Sequence, residues 1–179
     1  MRKIAFAIAM LVAFAASAQK AEDFQPVRIG VVNSQKITEN ARVMKSINTQ
    51  RDKLLDDLKA SVEKKRKEFE AREGDLRTKR IALSPDAFQK EVAAFQKSVM
   101  DFDRSTQERE AAIRKGVFDA MKTVNEDHLE PIIREVGRKY GLDMVLSEAM
   151  TVLINNRLDL TDEVLKNLND KIKDIKVRA

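Results

Sequence analysis

Between Ser34 and Leu83 the chain has no proline, and its apolar residues recur at alternating steps of four and three: Ile37, Ala41 and Met44, then Leu55, Leu58, Val62, Phe69 and Leu76. That spacing lays an apolar seam along one side of a helix. Asn48, Arg51, Lys65 and Arg72 fall on the same seam and leave it imperfect. Beyond Pro85 the pattern resumes with Phe88, Val92, Phe95, Val99 and Phe102, and it continues through Ile113, Val117, Ala120 and Val124 with a stutter between Ile113 and Val117. Two long helices with matching seams and a short connection fold back as an antiparallel hairpin. About forty helical residues in each arm would project roughly 60 Å.

The connection itself is readable. In "IALSPDAF", Ile81 to Phe88, Ser84 can cap a helix start, Pro85 suits the first helical position and Asp86 complements the positive end of the helix dipole. Leu83 and Phe88 stand at the two positions of a hydrophobic staple. This stretch is therefore the expected tip of the hairpin.

Outside the two seams the pattern changes. "VRIGVVN", Val27 to Asn33, "DMVLSE", Asp143 to Glu148, and "TVLINN", Thr151 to Asn156, have strand composition, and the last two are separated by a turn. Pro131 should kink or restart the second long helix where arm meets body. Gly141 is a candidate C-cap, and Thr161 opens a short closing helix with half a capping box. Three strands and one helix supply too little core for independent stability, so association through the strands is expected.

Composition supports that picture. Charged residues make up 35% of the chain and aromatics 5%, with no Trp and five Gly, a bias closer to long helices and coiled coils than to a compact globule. The N-terminus, "MRKIAFAIAMLVAFAASAQK", places Arg2 and Lys3 ahead of an apolar run from Ile4 to Phe14 and small residues at Ala16, Ser17 and Ala18. That is a secretory signal peptide layout, and the apolar run is shorter than the ~20 residues of a membrane-spanning helix. Residues 1–18 are assigned as a cleaved signal, so the mature chain works outside the cytoplasm. Zero cysteines remove disulfides as a staple in that compartment and leave oligomerisation as the substitute for a large core. Cleavage takes two basic residues from a net charge of +5, and the moderate balance that remains permits an acidic partner without demanding one.

Candidate chemistry is sparse. No glycine-rich phosphate loop is present, and the only histidine, His128 in "NEDHLEPII", is read as a polar helix residue rather than a general base or metal ligand. Neither a catalytic site, a cofactor nor a metal is expected. Lys64, Lys65, Arg66, Lys67, Arg72, Arg77, Lys79 and Arg80 outnumber five acidic neighbours in the distal first arm. Such a run is either a solvated face laced with i,i+4 pairs or an electrostatic lure for acidic unfolded chains, anionic lipid or lipopolysaccharide. Nucleic acid is disfavoured, since Phe69 alone offers a stacking surface there and export removes the chain from it. Gly74 and Gly116 each weaken a helix interior by about 0.8–1.0 kcal/mol relative to Ala and are candidate soft points for splaying arms.

The order of these features resembles the Skp/OmpH family of periplasmic chaperones. A signal peptide precedes "IGVVN" and "SQKITENA", a charged helical hairpin follows, and the chain closes with "EVGRKYGLDMVLS" and "LDLTDEVLKNLN". The closing stretch is the most specific part. The resemblance implies an ATP-independent holdase that keeps unfolded outer-membrane β-barrel proteins from aggregating. It also implies a homotrimer whose strands join in a central body, with helical arms around a cavity. The expected fold is thus mainly α with a small β body: a long antiparallel coiled-coil hairpin, residues 41–127, projecting from a strand-mediated trimeric core made of 27–40 and 128–179. Phe69, Leu76, Ile81, Leu83, Phe88 and Met100 are the expected client contacts, Ile81, Leu83 and Met100 off the seam and the others if the tip opens. A structural coiled-coil envelope protein, or a basic nucleic-acid- or lipid-binding protein, is the alternative.

Overall fold

A computed structural model describes residues 26–179, so the assigned signal peptide lies outside the described residues. Strand β1, Ile29–Val32, leads into α1, Ser34–Asn40, and then α2, Arg42–Ala82. Helix α3, Pro85–Thr123, returns, and a π-helical segment, Val124–Leu129, joins it to α4, Glu130–Lys139. Strand β2, Met144–Ser147, two single 3-10 turns and α5, Thr161–Lys171, complete the chain. No helix among the described residues is long and apolar enough to cross a membrane.

The hairpin follows from the tip outward. Ser84 accepts a hydrogen bond from the Ala87 N–H at 3.4 Å, Pro85 occupies the first turn where it forfeits no helical bond, and Asp86 faces the positive helix end. Helices α2 and α3, 41 and 39 residues long, pack against each other in opposite directions. Phe69 meets Phe95 and Phe102 edge-on, with ring centroids 5.8 Å apart in both pairs. Nearer the body the Arg109 guanidinium donates to the Ser61 hydroxyl at 3.3 Å, and nearer the tip Arg72 and Lys79 both reach Glu91. These pairings fix an antiparallel register.

At the root the seam differs from the expected one. The chain breaks between α1 and α2 at Ala41, which is extended (φ −63°, ψ 133°), and the α2 N-terminus is capped from afar by the Asn169 side chain, 2.7 Å from the Arg42 N–H. Restarting the helix there shifts its phase. Val43 and Ile47 become fully buried, Leu54 packs on the core, and Leu55, expected on the seam, is exposed. From Leu58 outward, Val62, Phe69 and Leu76 are buried or half-buried as the spacing required.

The body is a two-stranded parallel sheet, Ile29 to Val32 pairing in order with Met144 to Ser147. The strand expected over Thr151–Asn156 does not form: that segment is irregular, with Val152 and Leu153 fully open to solvent. On its other edge β1 receives Asp159 and Leu160 instead, with the Leu160 N–H donating to the Val31 carbonyl at 2.8 Å. Ile37, Val43, Ile47, Val124, Ile132, Val136, Val164 and Leu168 form one core cluster under the sheet and helices. Each such aliphatic side chain contributes about 1.5–3 kcal/mol by leaving water.

One junction positions arm against body, and another turns the chain within the body. Pro131 has no N–H to donate, and just ahead of it the Glu130 N–H reaches five residues back to the Asn125 carbonyl, so the expected kink takes the form of a π-turn. Gly141 (φ +60°) ends α4 as foreseen, and the Leu142 N–H closes back on the Gly137 carbonyl at 2.8 Å.

Candidate functional site

The six apolar residues singled out from the sequence do not share one surface. Leu76 is buried between the helices, and Phe69, Leu83 and Phe88 are half-buried. Ile81, 93% exposed, stands at the tip, whereas Met100 lies on the outer side of α3, about 24 Å back along the axis at 1.5 Å per residue. Two residues are thus open to a partner as they stand, and four become available only if the helices part.

Sequence reasoning missed Phe118, which is 66% exposed on α3. Its position eighteen residues after Met100 is five helical turns, so both project from one face, with the exposed Ala93 and Ala111 on the same line. The signal was present as apolar residues recurring off the seam. Met150, Val152 and Leu153 form a second exposed apolar group, on the body beside β2. The strand-like composition of Val152 and Leu153 is legible in the sequence, but not their exposure.

The basic run is more paired than its composition suggested. Lys65 reaches Glu68 at 2.8 Å and lies 5.1 Å over the Phe69 ring; Arg66 lies between Glu63 and Glu70; Arg77 reaches Glu73; Arg72 and Lys79 share Glu91 across the hairpin. Lys64, Lys67 and Arg80 make no ion pair among the described residues and are exposed. The hydrogen bond from Lys65, then its charge, holds the Glu68 carboxyl below its ordinary range. Exposed pairs of this kind contribute little stability. The stripe keeps its positive excess while acquiring a fixed pattern.

His128 is half-buried in the π-turn, with Nδ1 enclosed and unpartnered. Among the described residues no cluster of three or more His, Asp or Glu side chains is arranged to hold a metal ion. Gly116 is not the exposed soft point expected from its sequence position: it is buried, and a Cβ there would stand 2.2 Å from the Arg178 carbonyl oxygen. Gly74 has open space around it.

A small α/β body carrying a long returning helix pair is the class these elements define. Residues 28–168 match the family model of OmpH-like outer membrane proteins, and the chain belongs to that family. A crystal structure of a candidate outer membrane chaperone (OmpH-like) from Caulobacter crescentus CB15 superposes with a TM-score of 0.78 at 19% identity, covering 85% of this chain and 89% of the other. At that identity the likeness is one of fold. No curated protein matches the chain by sequence.

Proposed function

We propose that this protein is an ATP-independent holdase of the periplasm, which keeps unfolded outer-membrane proteins soluble between helical arms. The observation that carries the reading is the combination of family membership over residues 28–168 with long arms bearing apolar side chains that serve no core, Ile81, Met100 and Phe118. Contacts spaced along an arm, each weak, suit a client without fixed structure, and methionine adapts to varied partners. The OmpH-like relative named as an outer membrane chaperone supports the same assignment.

The holdase works as a homotrimer with coiled-coil arms around a cavity. Its support is the unfinished state of the body in one chain: a sheet of two short strands, and Met150, Val152 and Leu153 left open beside β2. Strand edges and apolar groups of this kind require cover.

The test is dilution of a urea-unfolded outer-membrane β-barrel protein into nucleotide-free buffer with and without the mature chain. Turbidity should be suppressed at molar excess of the chain. Unchanged aggregation would sink the assignment.

A further inference from the structure

The C-terminal segment after α5 is built into the root of the arm. Helix α5 ends at Lys171, and Ile172 turns the chain into extended backbone (φ −143°, ψ 131°). From there it crosses α2 and reaches α3. On α2 the Gln50 side chain reads the backbone with both ends of its amide: Nε2 donates to the Ile175 carbonyl at 2.8 Å, and Oε1 accepts from the Val177 N–H at 3.0 Å. The Ser46 hydroxyl bonds Asp174, whose carboxylate also accepts from Gln50. On α3 the glycine at 116 lets the Arg178 carbonyl sit against the helix backbone, where any side chain would displace it. Val177 is buried in the core cluster, and Ile172 and Ile175 pack on it.

We propose that Ile172–Arg178 is a strap that ties α2 to α3 where they leave the body, seated in a groove made to receive an extended chain. Three independent features agree on the groove: an amide that recognises peptide backbone rather than side chains, a glycine that admits a carbonyl, and apolar sockets for residues two apart. The strap lies beyond the family match, which ends at Leu168. Its anchors are a few backbone and side-chain bonds on a short extended segment, and a segment held by so few contacts opens at lower free energy than the core. When it lifts, the roots of the two arm helices lose a segment that bridges them from outside, and they are freer to part.

Paired glycine variants of the full chain provide the test. Gly116→Ala and Gly74→Ala add the same methyl group to a helix, but only the first collides with the strap. Hydrogen exchange followed by mass spectrometry should show the Ile175–Val177 amides of Gly116→Ala exchanging roughly tenfold faster or more, together with faster exchange at the roots of α2 and α3 and none at the tip. Tryptic cleavage after Lys173 and Lys176 should accelerate in parallel. Gly74→Ala should match the wild type on every count. Gln50→Glu, which keeps the size but loses the donor to Ile175, should reproduce the Gly116→Ala pattern without touching α3. It decides the matter if Gly116→Ala loses helicity. Equal behaviour of the two glycine variants, or a released strap with unchanged exchange at the arm roots, would overturn the proposal.

Discussion

Thr161 stands at the start of α5 with no exposed surface, yet its hydroxyl does not cap that helix. It accepts the Asn33 N–H at 2.8 Å, while the Asp159 carboxylate takes the Thr161 N–H at 2.8 Å. One threonine thus ties the end of β1 to the closing helix. Thr161→Val keeps the shape and leaves the Asn33 donor unpaired, which should cost about 1–3 kcal/mol, read as a lower urea midpoint with unchanged m-value. Beside it, Glu163 accepts from Lys139 and from the Tyr140 hydroxyl, both at 2.7 Å. The Lys139 hydrogen bond, then that of Tyr140, holds the Glu163 carboxyl below its ordinary 4.5, and the same Glu163 bond raises Lys139 above 10.5. A depressed carboxyl stabilises fully above 4.5 and loses its share as pH falls through the lowered value. A raised lysine stabilises fully below 10.5 and loses its share as pH climbs past it. Melting temperatures of wild type and Glu163→Gln should therefore differ most on the plateau between those values and converge in acid; a constant difference down to low pH would refute the linkage. The sequence marked Thr161 as a helix start and was right about position. Its partner, 128 residues away, was beyond any local pattern.

At the scale of elements, the tip was legible because Ser84, Pro85 and Asp86 act within one turn, and the outer seam was legible because nothing interrupts α2 beyond Leu58. The root was not. The phase shift at Ala41 depends on Asn169 from the far end of the chain, so a count begun at Ile37 reaches Leu55 instead of Leu54. Gly116 was misjudged for the same reason, its neighbour being Arg178. Under the proposed function, the arm would have two separable ways to attract a client. Replacing Lys64, Lys65, Arg66 and Lys67 with Gln should slow capture several-fold at low salt and flatten its salt dependence, since exposed charges act over about a Debye length, ~8 Å at physiological ionic strength. Release should change little. Ile81→Ser with Met100→Ser should instead shorten client residence with little effect on capture, each lost contact removing at most about 1.5–3 kcal/mol. Stopped-flow capture and competition-driven release separate the two; a lysine variant that keeps the wild-type salt slope reduces the basic run to a solvated, ion-paired face.

At the scale of the whole molecule, arm and body divide the work. The body positions two helix roots through the Ala41 break, the π-turn ahead of Pro131 and the C-terminal segment, while the arm helices carry Ile81, Met100 and Phe118 away from it. Family and fold class were legible from the order of strand, charged hairpin and closing helix. The segment Thr151–Asn156 was not, because its composition encodes a wish for burial that one chain leaves unmet. If three chains meet there, Val152→Asp with Leu153→Asp should abolish association while leaving the helical content of the arms intact. The most direct measurement is the mass of the complex formed when the mature chain meets an unfolded outer-membrane β-barrel protein, taken by light scattering on a sizing column without nucleotide. The account predicts a single soluble species of three chains and one client. A client that pellets while the chain elutes alone, or a chain that remains a monomer at micromolar concentration, would contradict it.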